Sequence, residues 1–159
     1  MIILLSSCNQ QSKNETASGQ SSCDVKKEAG RILIEDVLNK QNLASLDQLM
    51  ADSVLFHVQD WTGMGSGAGL KKAYEEWFIA FPDFNVTVYQ MICEGDYLAI
   101  NCSFAGTHKI KFMGIEPLNN KVNMLDAVIL KFDNHNKIME YTEIWDNGRM
   151  KEIMAEKPE

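Results

Sequence analysis

Three ionisable residues stand where proton-transfer chemistry would want them: Asp146, Asp126 and His108. In the run from Ile138 to Asp146, strand alternation puts Glu140, Thr142, Ile144 and Asp146 on one face. A carboxylate at the end of a buried strand loses water, which raises its pKa toward the range of a general base. The same aspartate has a second role open to it, capping the Asn147-Gly148 turn. Asp126 shares its strand face with Met124, Val128, Leu130 and Phe132, all apolar. A carboxylate there must be paired, solvated by a cavity, or protonated. If that face lines a pocket, Asp126 is a second acid/base, and two acids with separated pKa values divide the roles of donor and acceptor. If it packs under helices, Asp126 is a structural hydrogen-bond partner. His108 ends a strand in Gly106-Thr107-His108. An imidazole there can orient an acid, share its proton or hydrogen-bond a developing enolate oxygen, or it can be a satisfied structural histidine.

Around these stand groups that could hold a substrate. His57 ends an earlier strand, Trp61 follows it in a glycine-rich stretch, and Trp145 precedes Asp146. The large rings suit an apolar cavity, although aromatics at such spacing also serve as plain core, the reading that fits Trp77. Other chemistries find no support. His57, His108 and His135 are isolated, with neither a His-Glu-x-x-His pair nor paired cysteines, so no metal site is expected. Gly63-Met64-Gly65-Ser66-Gly67-Ala68 superficially fits a dinucleotide fingerprint, but no βαβ unit surrounds it. No Gly-x-Ser-x-Gly elbow is present. Any reaction is therefore expected to be cofactor-free.

The elements that position these residues follow from the hydrophobic pattern. Val25, Ala29, Ile32, Leu33 and Val37 predict a helix to about residue 40, with Asp24 as its N-cap. A short helix over 43–50 and a short strand over 54–58 come next, then a loop over 60–69 carrying four alternating glycines. Leu70, Tyr74, Trp77, Phe78 and Phe81 form a helical stripe that Pro82 ends. The second half reads as strands over 85–93, 97–108, 122–132 and 137–145, the first two joined at Glu94-Gly95-Asp96. A last short helix spans 149–155. Helices first and long antiparallel strands afterwards predict an α+β domain with helices on one face of a curved sheet.

Composition sets the outer bounds. The chain has 159 residues, 45% of them hydrophobic, enough for one domain with a real core. A net charge of −7 with no basic cluster argues against a nucleic-acid partner. No apolar run reaches the ~18–20 residues that span a bilayer. Leu5-Ser6-Ser7-Cys8, after a short apolar run, resembles the bacterial lipoprotein box, in which the cysteine is lipidated. Residues 1–7 are then a signal-peptide remnant, and residues 8–23 a lipidated Cys8 with a polar tether too poor in apolar residues to fold. The folded domain is expected over 24–159, held at the membrane by Cys8, in the bacterial cell envelope and facing the periplasm or the surface. Such a compartment permits a disulfide. Cys93 and Cys102 cannot form one: hairpin pairing sets Cys93 opposite Leu98, four residues from Cys102, roughly 13 Å away. Both are expected as small core residues.

Phe81-Pro82-Asp83, Glu94-Gly95-Asp96, Gly106-Thr107-His108 and the strand closing on Trp145-Asp146, in this order, resemble the SnoaL-like polyketide cyclases, often called ester cyclases, of the NTF2-like superfamily. The resemblance covers about residues 25–154 and implies a cone-shaped α+β domain enclosing a pocket. It implies that Asp146 is the acid/base of an intramolecular aldol closure, and that His108 and His57 stand by the cavity. It also implies a homodimer. Two departures, Ile110 in place of glycine and Pro117-Leu118-Asn119 in place of Pro-Thr-Gly, fall around the pocket mouth and imply a different substrate. Three functions fit. One is a lyase- or isomerase-type enzyme on a small hydrophobic carbonyl compound, by aldol cyclisation, isomerisation or hydration. The second is a non-catalytic module that binds an apolar small molecule in the envelope. The third is a dimerising interaction domain.

Overall fold

The computed structural model describes residues 22–59 and 61–157. The Cys8 motif and nearly all of the expected tether lie outside the described residues. Its elements are α1 (Ser22–Arg31), α2 (Leu46–Leu49), β1 (Met50–Val58), β2 (Trp61–Gly65), α3 (Gly67–Ala80), β3 (Asn85–Glu94), β4 (Tyr97–Thr107), β5 (Lys121–Phe132), β6 (Ile138–Trp145) and α4 (Asn147–Ala155). The strands form one curved sheet in the order β2-β1-β6-β5-β4-β3, with helices packed on its concave side. The α+β architecture is the one the pattern predicts.

Three details differ from it. First, α1 does not run on as α-helix but widens into a π-helical stretch, Ile32–Leu38, which buries Leu33, Ile34, Val37 and Leu38. Its end is clasped by Asn39, whose side chain donates to the Val86 carbonyl at 3.0 Å and accepts from the Val86 amide. Second, part of the glycine-rich loop is a strand. β2 pairs antiparallel with β1, from Val54 opposite Gly65 to Val58 opposite Trp61. Glycines lower strand propensity, so only the partner strand reveals it. Third, the sheet is mixed rather than wholly antiparallel, because β1 runs parallel to β6. Parallel partners need a long crossover, here most of the domain, and local sequence carries no trace of it.

The motifs between Phe81 and Gly106 fasten α3 to the sheet. Asp83 accepts hydrogen bonds from the Thr107 amide at 2.6 Å and the Thr107 hydroxyl at 2.7 Å. These bonds hold its carboxyl below the usual carboxylate range. Gly106 is required by close approach: a Cβ there would meet Phe81 Cβ at 2.9 Å. Gly95, at φ 55°, makes the β3–β4 turn, and Cys93 pairs with Leu98 across it as the hairpin pattern requires.

Cys93 is a correction. It forms a disulfide with Cys23, Cα–Cα 5.7 Å, and is not a small core residue. Ser22 and Cys23 accordingly belong to the first turn of α1. Lys26, 3% exposed, reinforces the staple by donating to the Gly95 carbonyl at 2.9 Å and pairing with Asp96 at 3.4 Å. The pairing escaped the sequence because its partner lies 70 residues away. Cys102 is buried and free.

Candidate functional site

Alternation along β4, β5 and β6 decides which side chains enter the space beneath α3. From β6 these are Tyr141, Glu143 and Trp145, while Ile144 is 56% exposed and Asp146 is exposed on the far side. β5 contributes Asp126 and Val128, and β4 contributes Cys102 and Phe104. Pairing across the sheet aligns Cys102, Asp126 and Trp145 in one row and Val58, Glu143 and Val128 in the next. Asp126 and Glu143 are thus diagonal neighbours on one concave face, roughly 7–8 Å apart at the backbone and within mutual reach of their side chains.

The two carboxyls sit among apolar groups and phenols. Tyr74 of α3 and Tyr141 share a hydrogen bond of 2.7 Å between their hydroxyls. Burial raises the Asp126 pKa to about 6, opposed by the Ala127 backbone and the Cys102 thiol. Burial raises Glu143 to about 8, with the Asp126 charge adding to the shift and the Tyr141 hydroxyl opposing it. Glu143 is half-buried by exposure, yet protein atoms surround its carboxyl closely enough for loss of water to dominate. Near pH 7 the pair therefore holds one proton, mainly on Glu143, leaving Asp126 ionised. Both phenols, deeply buried, are held well above their ordinary pKa, and the Cys102 thiol is pushed up to about 12. Cys102 is hence a neutral neighbour of Asp126, not a nucleophile.

Two spaces lie near this pair. An apolar cavity of about 300 Å³ is lined by Phe56, Val58, Trp61, Gly65, Leu70 and Ala73, between β1–β2 and α3. A void of about 20 Å³ lies between Tyr74, Trp77, Phe84, Phe104, Glu143 and Trp145. Val58 on the first and Glu143 on the second are direct partners in the sheet. Glu143 is therefore one strand spacing, roughly 4.8 Å, from the apolar cavity wall, and Asp126 on β5 is a second spacing away.

The expected site residues fall into separate places. Asp126 and Trp145 come together in the row just described. Trp61 lines the apolar cavity and stacks on Phe56 at 6.4 Å between ring centroids. Asp146 is the N-cap of α4, accepting from the Arg149 amide at 2.8 Å. His57 points to the outer face, with Nδ1 3.1 Å from Thr62 Oγ1 and Nε2 3.4 Å from Glu140. His108 is fully buried and stacks on Phe81 at 5.6 Å. Burial holds its pKa down, only partly opposed by the nearby Ile110 backbone, so it stays neutral. It stands just past the end of β4, six residues from Cys102 and roughly 20 Å from Asp126. Trp77 is at the centre of a ring cluster with Phe81, Phe84, Phe104, Phe112 and Trp145.

Glu143 is the residue that sequence reasoning passed over. The signal was its flanks: Tyr141 and Trp145, two residues either side, are the rings of the inner face. Among the described residues, no group of three or more His, Cys, Asp and Glu could hold a metal ion. No described helix is long and apolar enough to cross a membrane.

A family model described as SnoaL-like polyketide cyclase matches residues 31–152. Solved structures agree on the fold. A protein from Jannaschia sp. CCS1, provisionally assigned as a SnoaL-like polyketide cyclase, superimposes with TM-score 0.79 at 14% identity, over 89% of this chain and 99% of its own. IdmH from Streptomyces antibioticus, provisionally assigned as a polyketide cyclase, does so with TM-score 0.68 at 26% identity, over 79% and 94%. An LEH-like epoxide hydrolase from M. tuberculosis has TM-score 0.63 at 11% identity, over 82% and 89%. No curated protein matches the sequence.

Proposed function

Because the chain belongs to the SnoaL-like polyketide cyclase family, we propose that it is a cofactor-free acid–base enzyme acting on a small apolar carbonyl compound, with Asp126 and Glu143 as its proton-transfer pair. One observation carries this reading: two carboxyls share the concave face beside an apolar cavity, one raised to about 6 and the other to about 8. Asp126, ionised, takes the proton α to the carbonyl. The C–H electron pair becomes the new C=C bond, the carbonyl π pair moves onto oxygen, and Glu143 gives its proton to that oxygen as negative charge builds there. The resulting enol is reprotonated at carbon in an isomerisation or attacks a second carbonyl in an aldol closure.

Deuterium uptake tests the first step without knowledge of the natural substrate. In D2O, NMR should show the chain accelerating α-proton exchange of 2-acetylnaphthalene, and Asp126→Asn should lose roughly 100-fold or more of that acceleration. Equal rates for the two proteins would overturn the assignment.

The wholly apolar lining of the 300 Å³ cavity favours a second reading, capture of an apolar small molecule without turnover. Binding of 2-ethylnaphthalene, with no exchange of the ketone, would select it.

The envelope setting belongs to the same proposal: an acyl anchor on Cys8, with the domain periplasmic or surface-facing. The Cys23–Cys93 disulfide supports an oxidising compartment. Palmitate labelling that persists in Cys8→Ala would remove the anchor. A homodimer is proposed on the outer sheet face, where Leu125 is 72% and Ile144 56% exposed. A monomer mass by light scattering would remove it.

A further inference from the structure

Trp145 is held firmly and is unsatisfied. Its ring meets Trp77 and Phe104 edge-on, with centroids at 5.8 and 6.1 Å. Its Nε1–H is buried and has no hydrogen-bond partner. An indole N–H can only donate, and leaving such a donor buried and unpaired costs roughly 1–3 kcal/mol. Structures tolerate that where a ligand completes the bond.

The surroundings say what kind of ligand. The 20 Å³ void beside Trp145 has room for about one oxygen-sized atom. Glu143 is on its wall, and Asp126, with Oδ1 also unpartnered, is the direct sheet partner of Trp145. The remaining wall is Tyr74, Trp77, Phe84 and Phe104, which suits a single polar atom carried in by a ligand whose apolar body stays outside the void.

We propose that Trp145 Nε1–H is the hydrogen-bond donor that receives the carbonyl oxygen of the ligand, and that it selects oxygenated over hydrocarbon ligands of the same shape. The inference deepens the acid–base reading and takes its ligand class from it. As Asp126 removes the α-proton, the C–H pair forms the C=C bond and the displaced carbonyl π pair accumulates on this oxygen. A fixed donor aimed at that point then binds the transition state more strongly than the ketone. Trp145 is in that sense a catalytic residue as well as a selective one.

Binding of two probes that differ in the carbonyl oxygen alone tests this on the full chain. The indole N–H resonance of Trp145, assigned by its disappearance in Trp145→Phe, is followed by 1H–15N NMR during titration with 2-acetylnaphthalene and with 2-ethylnaphthalene. The ketone should bind roughly tenfold more tightly, one hydrogen bond's worth, and move the Trp145 resonance downfield. Trp145→Phe, which keeps an aromatic ring but lacks the donor, should bind both probes with equal affinity. Equal affinities in the native chain would overturn the proposal. So would a ketone preference that survives in Trp145→Phe, or an unmoved Trp145 resonance, the result expected where only a water fills the void. Should Trp145→Phe fail to fold, Trp61→Phe and Trp77→Phe assign the resonance by elimination, and the probes on the native chain still decide. The readout is binding, so absence of α-proton exchange would leave it standing, and loss of the ketone preference would leave the exchange standing.

Discussion

Glu143→Gln should make the protein more stable at alkaline pH. Glutamine has the shape of the protonated acid but cannot ionise. In the folded chain the Glu143 pKa rises from 4.5 to about 8, so the fold binds this proton more tightly than the unfolded chain does. Its contribution is fully present below about pH 4.5 and is lost as pH climbs through 8. At roughly 1.4 kcal/mol per pKa unit, the native fold gives up roughly 4 kcal/mol between pH 5 and pH 8.5. Water reaching the half-buried carboxyl screens part of that, leaving roughly 2–3 kcal/mol. The variant escapes this loss. At pH 8.5 its Tm should exceed that of the native chain by roughly 7–10 °C, shrinking to about 1–2 °C at pH 5. Scanning calorimetry at the two pH values, with urea midpoints as a second measure, makes the comparison. A variant less stable than the native chain at pH 8.5, or a difference independent of pH, would refute the argument that burial confines Glu143 to its protonated form.

Two further outcomes concern the disulfide and the α4 cap. Reducing Cys23–Cys93, or replacing both by Ser, opens a loop closed across 70 residues; loop-closure entropy sets the loss at about 4 kcal/mol, a Tm drop of roughly 10–15 °C in calorimetry, and a drop under 3 °C would contradict the stapling role. Asp146→Ala should cost about 1 kcal/mol by uncapping α4, Asp146→Asn much less, and α-proton exchange should not change in either; a hundredfold loss of exchange in both would return Asp146 to the reaction.

The sequence was most informative where packing is local. The stripe from Leu70 to Phe81 is a helix because its period of 3.6 needs no partner to be seen, and the Gly95 hairpin registers itself. Asp126 was visible for a similar reason, as the one charge on an apolar face. For β6 the pattern left two faces to choose between, since Glu140, Thr142 and Ile144 alternate with Tyr141, Glu143 and Trp145. Its neighbours in the sheet decide, and they turn the second set inward. One of these neighbours is β1, whose parallel pairing with β6 spans most of the domain. Taking the first set as the inner face favoured Asp146 and passed over Glu143, so one choice of face moved the expected acid from one residue to another.

The staple between α1 and the β3–β4 turn also fixes a direction. Ser22 leaves the domain at the end of the sheet that carries Cys93 and Gly95, where β1 and β6 begin. Val58, Trp61 and the apolar cavity they line lie toward the opposite end, where β1 finishes. Ser22 therefore stands at the pole of the domain opposite that cavity. Reducing the staple therefore loosens the domain at the end far from the apolar cavity.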